Sequence, residues 1–458
     1  MGAREDFKKR ISAEVLDKER IEVLNKHLSR YAQTFTNGKE QYKNLPLARQ
    51  RAEHIRWKAI ENLDKYLLEF ESNSTRHGTK VLWAPEKADA LAEIEEILKR
   101  HKVKGVVKTK SSVCEEIGLS KHLEQKGYAV TETDVADTVL KTTGDSPSHV
   151  IVPALHKKHF DISPYFKLEK DNDEPQTIAD TVGVIANKTR PHYFKTEAAI
   201  TGCNFLIADP GSIALTENEG NIIFSTGVAK IHIVVAAIDK IIPTMGDLET
   251  LWPLLATYGT GQKVTTYNTI INGPKEAKEN DGPEELYVII VDNGRSDLIA
   301  KKEQRPALSC IKCGACANVC PVYKIIGGQA YRTPNPGPIN AVTAQHTIST
   351  AEYKHLSDAS TLCGKCNDVC PVNIDIHSLL IENRRENREH ESKGFFDNIA
   401  WKQIVGAMLS RKKMNRGETI KNLVIKSSYK KDWGERREFP QTAKKSFNQL
   451  WREQHNEK

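Results

Sequence analysis

Seven of the nine cysteines in this 458-residue chain fall between positions 310 and 370, and any fold proposed for it must have a use for them. The first group reads Cys310-Ile-Lys-Cys313-Gly-Ala-Cys316-Ala-Asn-Val-Cys320-Pro321, and the second Cys363-Gly-Lys-Cys366-Asn-Asp-Val-Cys370-Pro371. Three cysteines within seven residues, then a fourth and a proline, is the spacing that holds an iron–sulfur cluster, with the fourth thiolate turned toward a neighbouring cluster. Structural zinc favours Cys-x-x-Cys pairs set further apart. Disulfide scaffolds belong to short secreted chains, and this sequence opens with no charged-then-apolar signal segment. Two clusters in tandem imply transfer of single electrons.

Thiolates are soft, anionic donors that suit iron in two oxidation states. On spacing, Cys310, Cys313 and Cys316 wrap one cluster, Cys320 reaches the other, and Cys370 crosses back. The first cluster thus takes Cys310, Cys313, Cys316 and Cys370 and is expected to be [4Fe–4S]; the second takes Cys320, Cys363 and Cys366. The second set is one ligand short, because Ser360 stands where a full run has cysteine. That leaves open a [3Fe–4S] cluster, a [4Fe–4S] cluster with an oxygen ligand from Ser360 or Asp358, or one with an open iron. Cys114 and Cys203 lie far away and read as small buried apolar side chains, with Cys203 in the loop Thr201-Gly202-Cys203-Asn204.

The rest of the chain organises around this module. Residues 1–75 read as a helical segment: Ile55, Ala59, Leu63, Tyr66 and Phe70 recur at three- and four-residue intervals. From 76 to 295 short apolar runs alternate with helical stretches, which argues for an α/β domain with a largely parallel sheet. Strands are expected at Val81–Ala84, Gly105–Val107, His149–Val152, Phe205–Ala208, Ile222–Phe224, Ile231–Ala236 and Tyr287–Val291, and helices at Ala88–His101 and Lys121–Lys126. The iron–sulfur module spans 300–390, and Ile376–Glu391 reads as a charged helix. A basic, aromatic-containing region, 391–458, follows with Phe395, Phe396, Trp401, Trp433, Phe447 and Trp451.

Charge is uneven. Residues 384–458 carry 19 Lys/Arg and 10 Asp/Glu, a balance of +9, which leaves about −2 for the first 383. Such a tail suits an acidic partner protein or peripheral contact with an anionic membrane surface, or is simply a solvated helical face. No nucleic-acid motif accompanies it. The best apolar run, Ile231 to Ile242, is broken by His232, Asp239 and Lys240 and falls short of the roughly 18 residues a membrane span needs. A reducing, cytoplasmic setting is expected for so many thiol ligands.

In the α/β region, Thr201-Gly202 and Gly211-Ser212 offer bare amides and hydroxyls near strand ends, where such folds bind ligands. Glu217, Glu219 and Asn221 are candidates for a polar wall, and Lys108 and Lys110 for holding a carboxylate. The plainer reading makes Asn218-Glu219-Gly220-Asn221 a β-hairpin turn. Gly259-Thr-Gly-Gln-Lys263 lacks phosphate-loop spacing, and no G-x-G-x-x-G follows a strand, so no NAD or flavin site is expected.

Several segments carry a resemblance. Lys108-Thr-Lys-Ser-Ser-Val-Cys-Glu-Glu-Ile-Gly-Leu119, Thr131-Glu-Thr-Asp134, Pro147-Ser-His-Val150, Ile200-Thr-Gly-Cys-Asn-Phe205 and Asp209-Pro-Gly-Ser-Ile-Ala-Leu-Thr-Glu-Asn-Glu-Gly-Asn221 are similar to the motifs of the LUD domain. A LUD domain followed by a ferredoxin-like two-cluster module resembles the lactate utilisation protein B family. The resemblance implies an α/β fold like that of sugar-phosphate isomerases and CoA transferases, with the family's seven cluster cysteines on the seven named above. It further implies an iron–sulfur subunit of an L-lactate dehydrogenase complex that oxidises L-lactate to pyruvate, with a cysteine-rich iron–sulfur partner and a single-LUD partner. Cys203, Asp209, Pro210 and Gln329 depart from the family pattern, and no catalytic residue is assigned. Two other readings stand beside this one: a self-sufficient enzyme with substrate on an open iron, and a redox-sensing or assembly scaffold. The electron acceptor is left unassigned.

Overall fold

In this computed structural model residues 2–167 and 176–389 are described, and beyond them 402, 405–406, 408–415, 422–423, 426, 438 and 441–455. Residues Met1–Asn387 form one compact unit and Arg388–Lys458 another.

Four helices open the first unit: α1 (Ala3–Glu14), α2 (Lys18–Lys39), α3 (Leu45–Glu61) and α4 (Leu63–Arg76). The Asp17 and Asn44 carboxylate and amide oxygens cap α2 and α3 by accepting the Arg20 and Leu47 amides. Of the expected apolar stripe, Ala59, Leu63, Tyr66 and Phe70 are buried.

Among the described residues ten strands follow: β1 (Lys80–Ala84), β2 (Gly105–Lys108), β3 (Ala129–Glu132), β4 (Ala198–Thr201), β5 (Phe205–Asp209), β6 (Ser212–Glu217), β7 (Ile231–Ala237), β8 (Ile241–Thr244), β9 (Tyr267–Ile271) and β10 (Glu285–Val291). Six make a sheet in the order β1-β10-β7-β4-β2-β3, parallel throughout. Its central strands are apolar on both faces because both faces are covered. Ile233, Val235 and Ile289 meet the helices Lys87–Arg100 and Leu119–Gln125, while Val234, Val288 and Ile290 meet α4 and the second sheet. That second sheet, β8-β5-β6-β9, is mixed. Its other side, through Phe205, Ile207 and Ile242, joins α1, α2, the helix Leu248–Thr260 and the cysteine region in one core.

Two expected strands are absent. His149–Val152 is an irregular loop, because the His149 ring takes the Ile151 and Val152 amides at 3.2 and 3.3 Å and leaves them nothing to give a ladder. Ile222–Phe224 lies inside the helix Asn221–Val228. The Glu217 carboxylate accepts the Ile222 and Ile223 amides at 2.8 Å each, and Gly220 at φ +77° turns the chain into the helix, so the segment 218–221 is no hairpin.

The amino-terminal helices pack on the cysteine region. Arg49 of α3 donates twice to the Cys370 carbonyl, at 3.1 and 2.8 Å, and Asn25 of α2 donates to the Lys324 carbonyl at 3.1 Å. Arg56 of α3 is fully buried. It donates to the carbonyls of Ile241 (2.7 Å), Leu308 (3.0 Å), Ser309 (3.1 Å) and Asp239. One guanidinium thereby ties the end of β7, the start of β8 and the approach to Cys310.

In the second unit, the helix Phe447–Gln454 is capped by Ser446 and leaves Phe447 and Trp451 exposed. Phe395, Phe396, Trp401 and Trp433 lie outside the described residues. Among the described residues no helix is long and apolar enough to cross a membrane.

Candidate functional site

The two cysteine groups are built by one local device used twice. Lys312 (φ +60°) and Gly314 (φ +76°) flank Cys313, and Leu362 (φ +54°) and Gly364 (φ +78°) flank Cys363. The left-handed pairs curl the backbone, and short helices follow, Ala315–Val319 and Lys365–Asp368. Gly314 is doubly required: a Cβ there would also stand 2.7 Å from Val150 and 2.9 Å from the His149 ring.

Cys310, Cys313, Cys316 and Cys370 act on one another electrostatically, and burial with mutual repulsion drives the thiols of the last three upward, Cys370 to about 12. Cys320, Cys363 and Cys366 form a second such set, with Cys366 pushed up to about 11. All nine cysteines are free of disulfides, and only Cys363 is exposed; hydrogen bonds from the Lys365 amide and Thr361 lower its thiol. Cys114 is buried and pushed up to about 11, and Cys203 to about 12, both by burial.

These residues fit iron–sulfur clusters. Buried thiolates crowded together need cationic charge among them to exist as thiolates. Backbone amides also point at the sulfurs: Lys312 N–H at Cys310 Sγ and Ile374 N–H at Cys370 Sγ, both at 3.3 Å. The amides of Ala315, Ile339 and Tyr323 serve Cys313, Cys316 and Cys320. Among the described residues no three His, Cys, Asp or Glu side chains form a single-ion site.

A cavity of about 560 Å³ adjoins the first set, lined in part by Ile311 and Lys312 of its loop. Its other walls lie just past the carboxyl ends of the parallel strands: Lys110 and Ser111 after β2, Asp134 after β3, Gly202 and Cys203 after β4, and Lys240 after β7. Glu217, Glu219 and Asn221 also line it. Lys110 donates to the Ile151 carbonyl at 2.9 Å, and burial lowers its ammonium. Burial and Asp134 raise both Asp137 and Glu219 to about 7.

Residues 67–291 match the LUD domain, and residues 306–374 match the 4Fe-4S dicluster domain. "Lactate utilization protein B" of Bacillus cytotoxicus is 37% identical over 417 residues, covering 88% of each chain. The chain belongs to the lactate utilization protein B family. "Lactate utilization protein B 1" of Bacillus mycoides is 38% identical over 415 residues, covering 88% of this chain and 86% of its own. A DUF162 family protein from Deinococcus radiodurans, of solved structure, is 16% identical, with 50% of this chain and 98% of its own covered and a TM-score of 0.26.

Within this family member, two sequence expectations for the cavity fail. Lys108 cannot hold an external anion, because it is fully buried between Glu115 and Glu132 at 2.9 Å each. Gly211 and Ser212 lie away from the cavity: a Cβ on Gly211 would stand 2.4 Å from the Ser74 amide nitrogen, and Ser212 donates to Asn272 at 2.6 Å. Lys240 and Lys312 were not singled out as cavity residues. Their signal was present: Lys240 is a charge inside the longest apolar run, and Lys312 sits between Cys310 and Cys313.

Asp137 offers a test of the cavity's electrostatics. Asp134 and Glu132 repel its carboxylate, and Lys108 and Lys110 attract it. Its folded value of about 7 exceeds the ordinary 3.8. The unfolded chain therefore loses the proton first as pH rises, and the group subtracts stability progressively from about pH 4 to about pH 7. Asp137→Asn should raise the apparent Tm more at about pH 8 than at about pH 4, and an equal shift at both would contradict this account.

Proposed function

We propose that this chain is the iron–sulfur electron-transfer subunit of a multi-protein L-lactate oxidation system, an oxidoreductase complex forming pyruvate in lactate catabolism. The observation that carries the reading is the unequal depth of the two sulfur sets. Cys313, Cys316 and Cys370 are buried and the neighbouring Ile311 and Lys312 line the α/β cavity, whereas the second set, with Cys320 and Cys366 also buried, ends at exposed Cys363. Cys320 and Cys370 cross between the sets, which keeps them adjacent. When bound, the clusters supply reversible one-electron exchange.

The chain's own residues hold the sulfurs in two curled loops, direct amides at them, and fasten the loops to α3 through Arg49 and to the α/β body through Arg56 and His149. Lactate oxidation moves two electrons, so the chemical step is assigned to a partner. The relatives' name supports lactate as the system's substrate, and the partners are a cysteine-rich iron–sulfur protein and a single-LUD protein. In this reading the chain divides into helical residues 1–75, a LUD domain 76–295 related to sugar-phosphate isomerases and CoA transferases, the module 300–390 and a docking tail 391–458. The location is cytoplasmic, with the tail meeting an acidic partner or a membrane surface.

Cys310, Cys313, Cys316 and Cys370 are the ligands proposed for a first [4Fe–4S] cluster, and Cys320, Cys363 and Cys366 for the second. For the missing ligand, Ser360 is favoured over Asp358. Leu362 N–H donates to Ser360 Oγ at 3.1 Å, just as Lys312 N–H donates to Cys310 Sγ, so the hydroxyl stands in the equivalent position. Asp358 is engaged by Arg4 and Arg384 at 3.3 and 3.8 Å.

The test is anaerobic purification with iron and sulfide analysis. Roughly seven or eight irons with comparable sulfide are expected, with visible absorbance bleached by dithionite. Stoichiometric zinc without sulfide would end the reading. Absence of a [3Fe–4S] signal in the oxidised protein supports the four-iron second site.

A further inference from the structure

The carboxyl edge of the parallel sheet carries a buried cation, Lys240, whose attraction to Asp239 is shared with Arg295, Lys312 and Arg56. Lys240 follows β7 directly and is 7% exposed, yet its ammonium makes no hydrogen bond or ion pair with any described residue. Its neighbour Asp239 is already engaged, since Arg295 holds that carboxylate at 2.8 Å. Arg56 grips the carbonyls on either side, those of Asp239 and Ile241, and so fixes the backbone from which Lys240 lines the cavity. Burial lowers the ammonium's pKa, Asp239 opposes that shift, and Lys312, lining the same cavity, adds to it by like-charge repulsion.

Two ammoniums lining one recess, with Asp239 shared among several cations, favour a further small anion beside them. Cys203 and Cys310 are also within electrostatic range of Lys240. The lining carries Asp134, Asp137 and Glu219 as well as Lys110, Lys240 and Lys312, so both signs of charge meet in the cavity. The carboxylates disfavour a large polyanion and leave the lysines to one small anionic group. No glycine-rich phosphate loop lies along the wall; Gly259-Thr-Gly-Gln-Lys263 lacks the spacing.

We propose that Lys240 and Lys312 bind a small 2-hydroxy or 2-oxo monocarboxylate in this cavity, beside Cys203 and the Cys310–Cys313 turn. The choice of hydroxy or oxo acid rests on the electron-transfer reading above; the anion site itself does not. The site would put substrate or product of the complex against the inner sulfur set of this chain, not only on a partner.

The test is anaerobic calorimetric titration of the full, cluster-loaded chain with L-lactate and pyruvate, and with acetate and inorganic phosphate for comparison. One site is expected for lactate or pyruvate, weakened at least about tenfold by Lys240→Met and by Lys312→Met. Lys99→Met, on an exposed helix face, should leave binding unchanged. If Lys240→Met loses iron, the wild-type titration and Lys312→Met carry the test. No binding at millimolar concentrations, undiminished binding in the lysine variants, or preference for phosphate would overturn the proposal. A shift only in the cluster reduction potential of Lys240→Met, without carboxylate binding, would also overturn it and make Lys240 a counter-charge. A chain that keeps both clusters reducible but binds no carboxylate would sink this inference and leave the electron-transfer reading intact.

Discussion

Replacing Cys313 with alanine should remove about half of the bound iron and sulfide and leave the other cluster's signal in place, and Cys366→Ala should do the same to the other half. The two residues belong to separate electrostatic sets; Cys313 sits at the centre of its curled loop, and Cys366 lies in the short helix that follows the second one. Ligation orders these loops, so each variant should also unfold more readily, and Cys313→Ala more so because its loop is wedged against His149 and Val150. Cys114→Ala and Cys203→Ala should keep full iron, since neither sulfur joins either set. Iron loss from Cys203→Ala equal to that from Cys313→Ala would show that the ligand assignment is incomplete. Metal analysis beside absorbance and electron paramagnetic resonance of the reduced protein reads all four variants.

Arg56→Met should destabilise the first unit by roughly 3–5 kcal/mol, as expected when a buried charge-assisted network loses its only donor. Four carbonyls, of Asp239, Ile241, Leu308 and Ser309, lose a common donor in the core. Methionine nearly fills the space but gives them nothing. Because Leu308 and Ser309 lead directly into Cys310, cluster loss should accompany unfolding at a lower denaturant concentration. The midpoint of anaerobic denaturant unfolding, followed by circular dichroism and cluster absorbance, measures both; a change below about 1 kcal/mol would mean that water replaces the guanidinium.

The cysteine spacing was legible because ligation tolerates little variation along the chain. The strands β7 and β10 were legible because central parallel strands are apolar on both faces, and β1, β2 and β5 because each is a short apolar run between polar segments. By contrast, β3 and β4 are four residues each, and β6 and β9 belong to a mixed sheet whose partners lie far away in sequence. Ile222–Phe224 has strand composition, but the distant-looking Glu217 carboxylate and Gly220 decide for helix. His149–Val152 has strand composition too, and its own imidazole consumes the amides.

The cavity was half legible. Gly202, Cys203, Lys110 and Glu217 were recognisable as loop residues near strand ends. The juxtaposition with Lys312 depends on how the cysteine region docks, which local pattern does not encode. Lys108 was misread for the same reason: its two carboxylate partners come from Glu115 and Glu132, on separate elements.

The central claim is tested most directly by adding L-lactate anaerobically to the oxidised, cluster-loaded chain, alone and after assembly with its partner proteins, while following cluster absorbance. The account predicts negligible bleaching and negligible pyruvate from the chain alone, and rapid bleaching in the assembled complex. Rapid lactate turnover by the purified chain by itself would contradict it and favour the self-sufficient enzyme.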